Sequence, residues 1–278
     1  MEAREGTFTY RGQRIAYTEY VPSRGTDRVL VLMHGLLMNR HMYDRLGPEM
    51  AQRGTRVITV DLLGHGASDM PHDLRAYSMT AFADQLAALI EGLELDRPVV
   101  GGASLGANVS LELASRRPEL ARGLVIEMPV LENALVAAGL IFLPILVGIR
   151  FAKPALHGLA ALTNRIPRSS FLADILLDWT RRDPGASEAV LEGVLFGRTA
   201  PPLEERERIE LPALVVGHPA DPLHPFNDAN MLAKELPNAR LVNANSILEW
   251  RLRPDRLNDE LAAFITDLYA DEPARAAA

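Results

Sequence analysis

The chain has 278 residues, 48% of them hydrophobic and 23% charged, and a formal net charge of -7. That length and balance fit one large α/β domain with an insertion better than two independent domains. The lack of cysteine excludes disulfides, thiolate metal sites and a cysteine nucleophile, and an acidic balance without a Lys/Arg block argues against a nucleic-acid partner.

Residues Met1 to Gly6 are charged and lack the apolar core of a signal peptide, so a cytoplasmic location is expected. No zinc-binding H-E-x-x-H, EF-hand loop or Walker lysine motif occurs, and neither metal nor cofactor is expected. Thr7–Tyr10 and Ile15–Tyr20, joined through Arg11-Gly12-Gln13, predict an antiparallel hairpin at a sheet edge. Arg28–Met33 is a continuous apolar run, as in a strand buried on both faces, and it leads into His34-Gly35-Leu36-Leu37. A helix is predicted over His41–Gln52 and a strand over Arg56–Val60, followed by the glycine-rich loop Asp61–Ser68. Ser78 is placed to cap a helix over Met79–Leu93.

The stretch Val99–Asn108 comes next. An apolar run ends in Gly102-Ala103-Ser104-Leu105-Gly106, and a helical pattern follows to Arg117, stopped by Pro118. Strand, Gly-x-Ser-x-Gly and helix in that order define a nucleophile elbow. Such a turn needs hydrogen-sized side chains beside the serine. It presents the Ser104 hydroxyl at a helix N-terminus, where N–H groups and the helix dipole favour negative charge.

After the strand Leu124–Met128 the strand–helix alternation stops. From Val130 to about Glu207 the pattern is helical, with prolines at 144, 154, 167, 184, 201 and 202 that are expected to break it. Ala134–Ile149 carries no charge. This run is shorter than the roughly 20 apolar residues of a membrane span, and Pro144 interrupts it. No transmembrane span is therefore expected. A protein-facing lid helix is the favoured reading, with an apolar substrate wall or a membrane-surface contact as the functional alternatives. The alternation resumes with a strand at Ala213–Gly217, a helix at Phe226–Leu236, a strand at Ala239–Asn243 and a closing helix at Pro254–Tyr269. The division is thus a core in two parts, 1–129 and 208–278, with a helical insertion over 130–207. The fold class is α/β, a mostly parallel sheet with helices on both faces. Sites in such sheets lie at the carboxyl ends of strands, where His34, Asp61, Ser104, Glu127 and Asp221 fall.

With His34-Gly35, the Asp61–Ser68 loop, the elbow, the proline-bounded insertion and Gly217 before Asp221, the chain resembles the α/β-hydrolase fold superfamily over nearly its full length. The resemblance implies that the insertion is a cap, that Ser104 is the nucleophile, and that Asp221 holds the acid position. It also implies that the N–H groups of Leu36 and Leu105 form an oxyanion hole. An aspartate nucleophile, as in the dehalogenase and epoxide-hydrolase branches, is disfavoured by serine at 104. The tryptophan that often follows the nucleophile there and in cofactor-free haloperoxidases is replaced by Leu105.

One part of the pattern is missing. The family keeps its histidine after the last strand, but Asn243–Pro254 contains none, and no histidine follows His224. His34 and His65 read as structural, and His41, His72 and His157 as surface or insertion residues; His218 is beside a strand end and is expected to point away. His224 is the leading base. Asp221-Pro222-Leu223-His224 has Asp and Pro at the first two positions of a type I turn, which brings the first and fourth Cα atoms within about 7 Å. Its alternative role is bracing that loop. Glu127 and Glu249 are the alternative acid or base residues, each with a salt-bridge or surface role as its rival.

A serine hydroxyl needs an adjacent base, histidine suits that role near neutral pH, and a carboxylate orients the ring. The leading expectation is a serine hydrolase acting on a small-molecule carboxylic ester with an apolar part. The alternatives are C–C hydrolysis, acyl transfer or a lyase step on the same fold, and a non-catalytic ligand-binding protein, motivated by the missing histidine.

Overall fold

The computed structural model describes residues 1–167, 171–219, 221 and 224–270. Eight strands form one sheet: β1 (Glu2–Tyr10), β2 (Gln13–Val21), β3 (Val29–Met33), β4 (Arg56–Val60), β5 (Val99–Ala103), β6 (Gly123–Glu127), β7 (Ala213–Gly217) and β8 (Ala239–Asn243). Their spatial order is β1-β2-β4-β3-β5-β6-β7-β8. β1 and β2 form the edge hairpin, turning through Arg11 and Gly12 at φ 49° and 80°. β2 pairs antiparallel with β4, and all later pairings are parallel.

The continuous apolar runs become strands buried on both faces because each face carries its own helices. The sheet's helices are α1 (Leu46–Gln52), α2 (Met79–Gly92) and α3 (Leu105–Arg116). Between β6 and β7 stand α4 (Leu135–Thr163), α5 (Phe171–Thr180), α6 (Pro184–Leu195) and α7 (Leu203–Arg206), and the chain continues with α8 (Phe226–Glu235), α9 (Glu249–Leu252) and α10 (Asp255–Ala270). Along β3, Val29, Val31 and Met33 join the core formed with α2, α3 and α8. Leu30 and Leu32 join the opposite core with α1 and α10. The side-chain period of two thus divides one strand between two cores.

Two local expectations change. The helix predicted over His41–Gln52 is split into a 3-10 turn at Arg40–Tyr43 and α1. The turn is pinned from inside: Arg40 N–H donates to Asp61 Oδ1 at 2.7 Å, and Tyr43 O–H donates to the Met33 carbonyl at 2.9 Å. The second change is larger. Pro144 and Pro154 do not break the insertion's first helix; α4 runs unbroken through both for 29 residues. It is long and apolar enough to cross a membrane by length and composition, and only 6% of its most apolar stretch is buried. The breaks expected at Pro144 and Pro154 are thus corrected, while the protein-facing reading holds for one side of the helix, where Phe142, Leu146, Ala160 and Thr163 are buried.

The insertion is tied to the core at its root by Asp228 of α8. This fully buried carboxylate accepts from Leu131 N at 2.8 Å, Asn133 N at 3.1 Å, Asn133 Nδ2 at 2.7 Å and Ala134 N at 3.1 Å. Removing an acceptor from several buried donors costs more than one ordinary hydrogen bond. Asp228→Ala is expected to lower unfolding free energy by about 3 kcal/mol, read as a drop in the urea midpoint. A midpoint unchanged from wild type would show that the root of the insertion is held by other contacts.

Candidate active site

The elbow is built by close approach. A Cβ at Gly102 would lie 2.1 Å from the Met33 carbonyl oxygen, and one at Gly106 2.0 Å from the same atom. Between them Ser104 sits at φ 53° and ψ -106°, a conformation costing a non-glycine residue on the order of 1–3 kcal/mol. Its N–H donates to the Glu127 carbonyl at 2.9 Å, and Gly106 N–H donates to the His34 carbonyl at 3.1 Å, which lock the turn between β3 and β6. The Ser104 hydroxyl makes no cap bond to its own helix and is left for another partner.

That partner is His224. Its Nε2 lies 3.0 Å from Ser104 Oγ, and its Nδ1 lies 2.9 Å from Asp221 Oδ2. Since the ionised Asp221 can only accept, Nδ1 carries the proton and Nε2 accepts from the serine O–H. The other Asp221 oxygen accepts from His224 N–H at 2.9 Å, so one carboxylate holds both the ring and its backbone. The side chains of His224 and Asp221 are 11% and 8% exposed. The structure therefore brings Ser104, Asp221 and His224 into one hydrogen-bonded chain, although the expected turn's central residues, Pro222 and Leu223, lie outside the described residues.

The serine opens into a cavity of about 340 Å³ whose walls include Leu36 and Leu105, with Phe142, Leu143, Val194 and Phe196 from the insertion. Gly35 abuts the elbow: a Cβ added there would lie 3.9 Å from Ser104 Cβ. Among the described residues, no turn or cap bond uses the N–H of Leu36 or Leu105.

Glu127 and Glu249 are engaged in ion pairs, the role weighed against catalysis for Glu127. Glu127 Oε2 accepts from Arg251 Nη2 at 2.6 Å, and Oε1 lies 3.2 Å from His218 Nε2. It serves a buried charge cluster rather than the serine. Burial by itself would raise its pKa, but the Arg251 guanidinium and the His218 ring outweigh burial and hold the carboxyl below its usual range. Burial likewise works against the charged His218 ring, and Glu127 overcomes it, raising that pKa. His218 donates from Nδ1 to the Ser246 carbonyl at 2.9 Å, so both ring nitrogens face groups other than Ser104. Glu249 is taken up by Arg256, with Nε and Nη2 each at 2.9 Å, and by Asn245. It braces the loop where the family histidine would stand, and its oxygens make no contact with the serine.

His34 and His65 are both fully buried and bind backbone. His34 Nδ1 donates to the Gly35 carbonyl at 2.8 Å, and its Nε2 accepts from Leu62 N–H at 3.1 Å. His65 Nε2 accepts from Leu37 N–H at 3.3 Å, which fixes the turn that follows Leu36. His41 faces Asp44 and His72 faces Asp183, both at the surface. Sequence reasoning misses Asn108. It donates from Nδ2 to the carbonyls of Val130 at 2.7 Å and Thr199 at 2.9 Å, joining both ends of the insertion beside the cavity. Its position four residues after Ser104, on the same helical face, is the signal that could have found it.

The alpha/beta hydrolase fold model matches residues 28–182, more than half of the chain. The chain belongs to the alpha/beta hydrolase fold family. A protein of Mycobacterium tuberculosis is 35% identical over 102 residues, 37% of this chain and 29% of that protein, so the match spans less than a third of the relative's length. A non-heme chloroperoxidase of Streptomyces lividans is 26% identical over 275 residues, covering 92% of this chain and 98% of that one. Among solved structures, an enol-lactonase from Burkholderia xenovorans superposes with a TM-score of 0.75 at 20% identity, covering 94% of this chain and all (100%) of that one.

Burial pulls the His34 pKa down to about 4 from 6.5, despite the nearby Asp61 charge, and lowers that of His65 well below 6.5. The unfolded chain then binds protons that the folded rings refuse, so stability falls as pH drops from 6.5 toward 4. For His34 alone the loss is about 3 kcal/mol. The other two groups act in separate windows. Glu127, with its pKa lowered, adds stability above 4.5 that is lost as pH falls through its folded value; His218, with its pKa raised, adds stability that is lost above 6.5 as pH rises through its folded value. Urea midpoints measured across this range are expected to decline steadily below pH 6.5. A flat profile between pH 6.5 and 4 would show that the buried rings take up protons in the fold.

Proposed function

We propose that the protein is a serine hydrolase that cleaves a small carboxylic ester with an apolar part through an acyl-enzyme. The observation that carries this reading is the hydrogen-bonded chain Asp221–His224–Ser104, with 3.0 Å between Nε2 and Oγ. His224 Nε2 takes the hydroxyl proton as Oγ attacks the ester carbonyl. The tetrahedral oxyanion is met by the N–H groups of Leu36 and Leu105, and loss of one such donor typically costs about 3 kcal/mol of transition-state stabilisation. The imidazolium, held by Asp221, passes its proton to the departing alkoxide. Nε2 then takes a proton from water, the resulting hydroxide attacks the acyl carbon, and the proton returns to Ser104 as the acid leaves.

The insertion acts as a cap over this site in the same reading. Its contribution of Phe142, Leu143, Val194 and Phe196 to the cavity supports an apolar acyl chain as the group bound there. The non-catalytic alternative was motivated by the missing histidine, and the His224 imidazole at 3.0 Å from the serine supports the catalytic reading over it.

A fluorophosphonate probe is expected to label Ser104, and Ser104→Ala to abolish both labelling and turnover of p-nitrophenyl esters. His224→Ala is expected to lower kcat by about a thousandfold or more. Chain length gives a finer check: kcat/KM is expected to rise about fourfold per added acyl methylene until the cavity is filled, since each buried methylene contributes about 0.8 kcal/mol. An unlabelled Ser104, with no hydrolysis at any chain length, would overturn the reading. Turnover retained in Ser104→Ala would point to a lyase route on this fold.

A further inference from the structure

We infer that the outer face of α4 docks the protein on a phospholipid bilayer surface, with the helix lying along the interface. The first observation is the face itself. Val136, Leu140, Val147 and Phe151 are 73%, 73%, 53% and 83% exposed, on a helix about 43 Å long. Scattered apolar side chains are ordinary on a protein surface, but a continuous stripe of this length marks an interaction site.

The second observation is sidedness. Phe142, Leu146, Ala160 and Thr163 are buried against the protein, and Arg150 and Lys153 form ion pairs with Glu188 of α6. The helix is a wall of the molecule, with one side engaged along its length. A segment held this way lies flat on a bilayer rather than crossing it.

Charge and continuity identify the occupant. α4 contains no Asp or Glu, and its only charged residues are Arg150 and Lys153, in a chain of net charge -7. The Arg150 side chain pairs with Glu188 and Glu192 and is still 64% exposed, so its open edge beside the apolar stripe is free to meet a lipid phosphate. Leu135 and Leu143 are partly exposed and also line the cavity that holds Ser104, so the apolar surface runs from the outer face into the site. A bilayer matches both features, because its apolar phase lies directly below its phosphates. A second copy of the chain matches less well. The 136, 140, 143, 147 spacing follows a heptad, but its next two positions are Arg150 and Pro154.

Flotation of the full chain with vesicles of phosphatidylcholine, and of phosphatidylcholine with phosphatidylglycerol, tests the inference. Binding does not depend on the hydrolase reading, so Ser104→Ala is expected to float as wild type does. Wild type is expected to float with both vesicles and more fully with the anionic ones. Leu140→Ser with Phe151→Ser is expected to weaken partitioning about a hundredfold while leaving hydrolysis of a soluble short-chain ester unchanged. Phe151→Ser alone, at the most exposed position, gives a smaller loss in the same direction and guards against misfolding of the double variant. The inference is overturned if wild type stays unbound to both vesicles, or if the variants float equally well. Resistance to alkaline carbonate extraction would overturn it in favour of a span. A solution dimer dispersed by the double variant would overturn it in favour of a second copy.

Discussion

The structure depends on how closely the β5–α3 turn approaches the Met33 carbonyl. No side chain fits at Gly102 or Gly106, whose added Cβ atoms would lie 2.1 and 2.0 Å from that oxygen. Two glycines let the turn pass under the end of β3, and the sharpness of the turn throws Ser104 to φ 53°. The strain is offset by the hydrogen bonds on either side, from Ser104 N–H to Glu127 and from Gly106 N–H to His34. Because β3 and β6 both flank β5, one turn aligns three strand ends, and the β3 end carries Leu36 to the serine.

That β3 end is itself held by buried polar groups. Asp61 accepts from Arg40 N–H at 2.7 Å and Ala67 N–H at 2.8 Å, and its carboxylate pairs with the Arg40 guanidinium. His34 and His65 meet ring to ring at 4.6 Å between centroids while binding backbone from Leu62 and Leu37. A buried neutral imidazole offers one donor and one acceptor, which suits a loop whose N–H and C=O groups lie out of reach of water. The cost appears on the acid side, where these rings would have to charge. The same groups that shape the loop around Leu36 thus set a pH limit on the fold.

What could be read from the sequence follows the range of each interaction. The elbow was legible because its cause lies within five residues. The Asp221–His224 pairing was legible because the two are three residues apart, whereas the reach of the His224 ring to Ser104 spans 120 residues and no local pattern encodes it. The Glu127–Arg251 pair spans 124 residues and was hidden for the same reason. The reading of α4 failed differently. Proline removes one N–H and crowds the carbonyl four residues earlier. Pro144 and Pro154 both lie on the exposed side, and the affected carbonyls belong to exposed Leu140 and Arg150. In the free protein water can take the place of the missing donor there, so the helix continues. A rule that treats every proline as a stop omits which side of the helix it occupies.

The position of the histidine alters the mechanical demands on the strand ends. When acid and base stand on different loops, two loops must hold register with the elbow. Here the Asp221 carboxylate binds both the ring and the backbone of His224, so one short segment after β7 carries the pair. The loop after β8 is relieved of that demand and is built as a brace. The Ser246 carbonyl accepts from His218, and Glu249 holds Asn245 and Arg256. His218 in turn rests on Glu127, at the end of the strand beside the elbow. The brace therefore runs from the β8 loop through His218 to β6 and stabilises the base of the segment that carries Asp221 and His224. An ionic cluster at that point resists displacement of the segment because moving His218 would leave Glu127 and Arg251 buried with less compensation. Placing the ring after β7 is consistent with a stable site because His218, three residues before Asp221, is held by Glu127 and the Ser246 carbonyl.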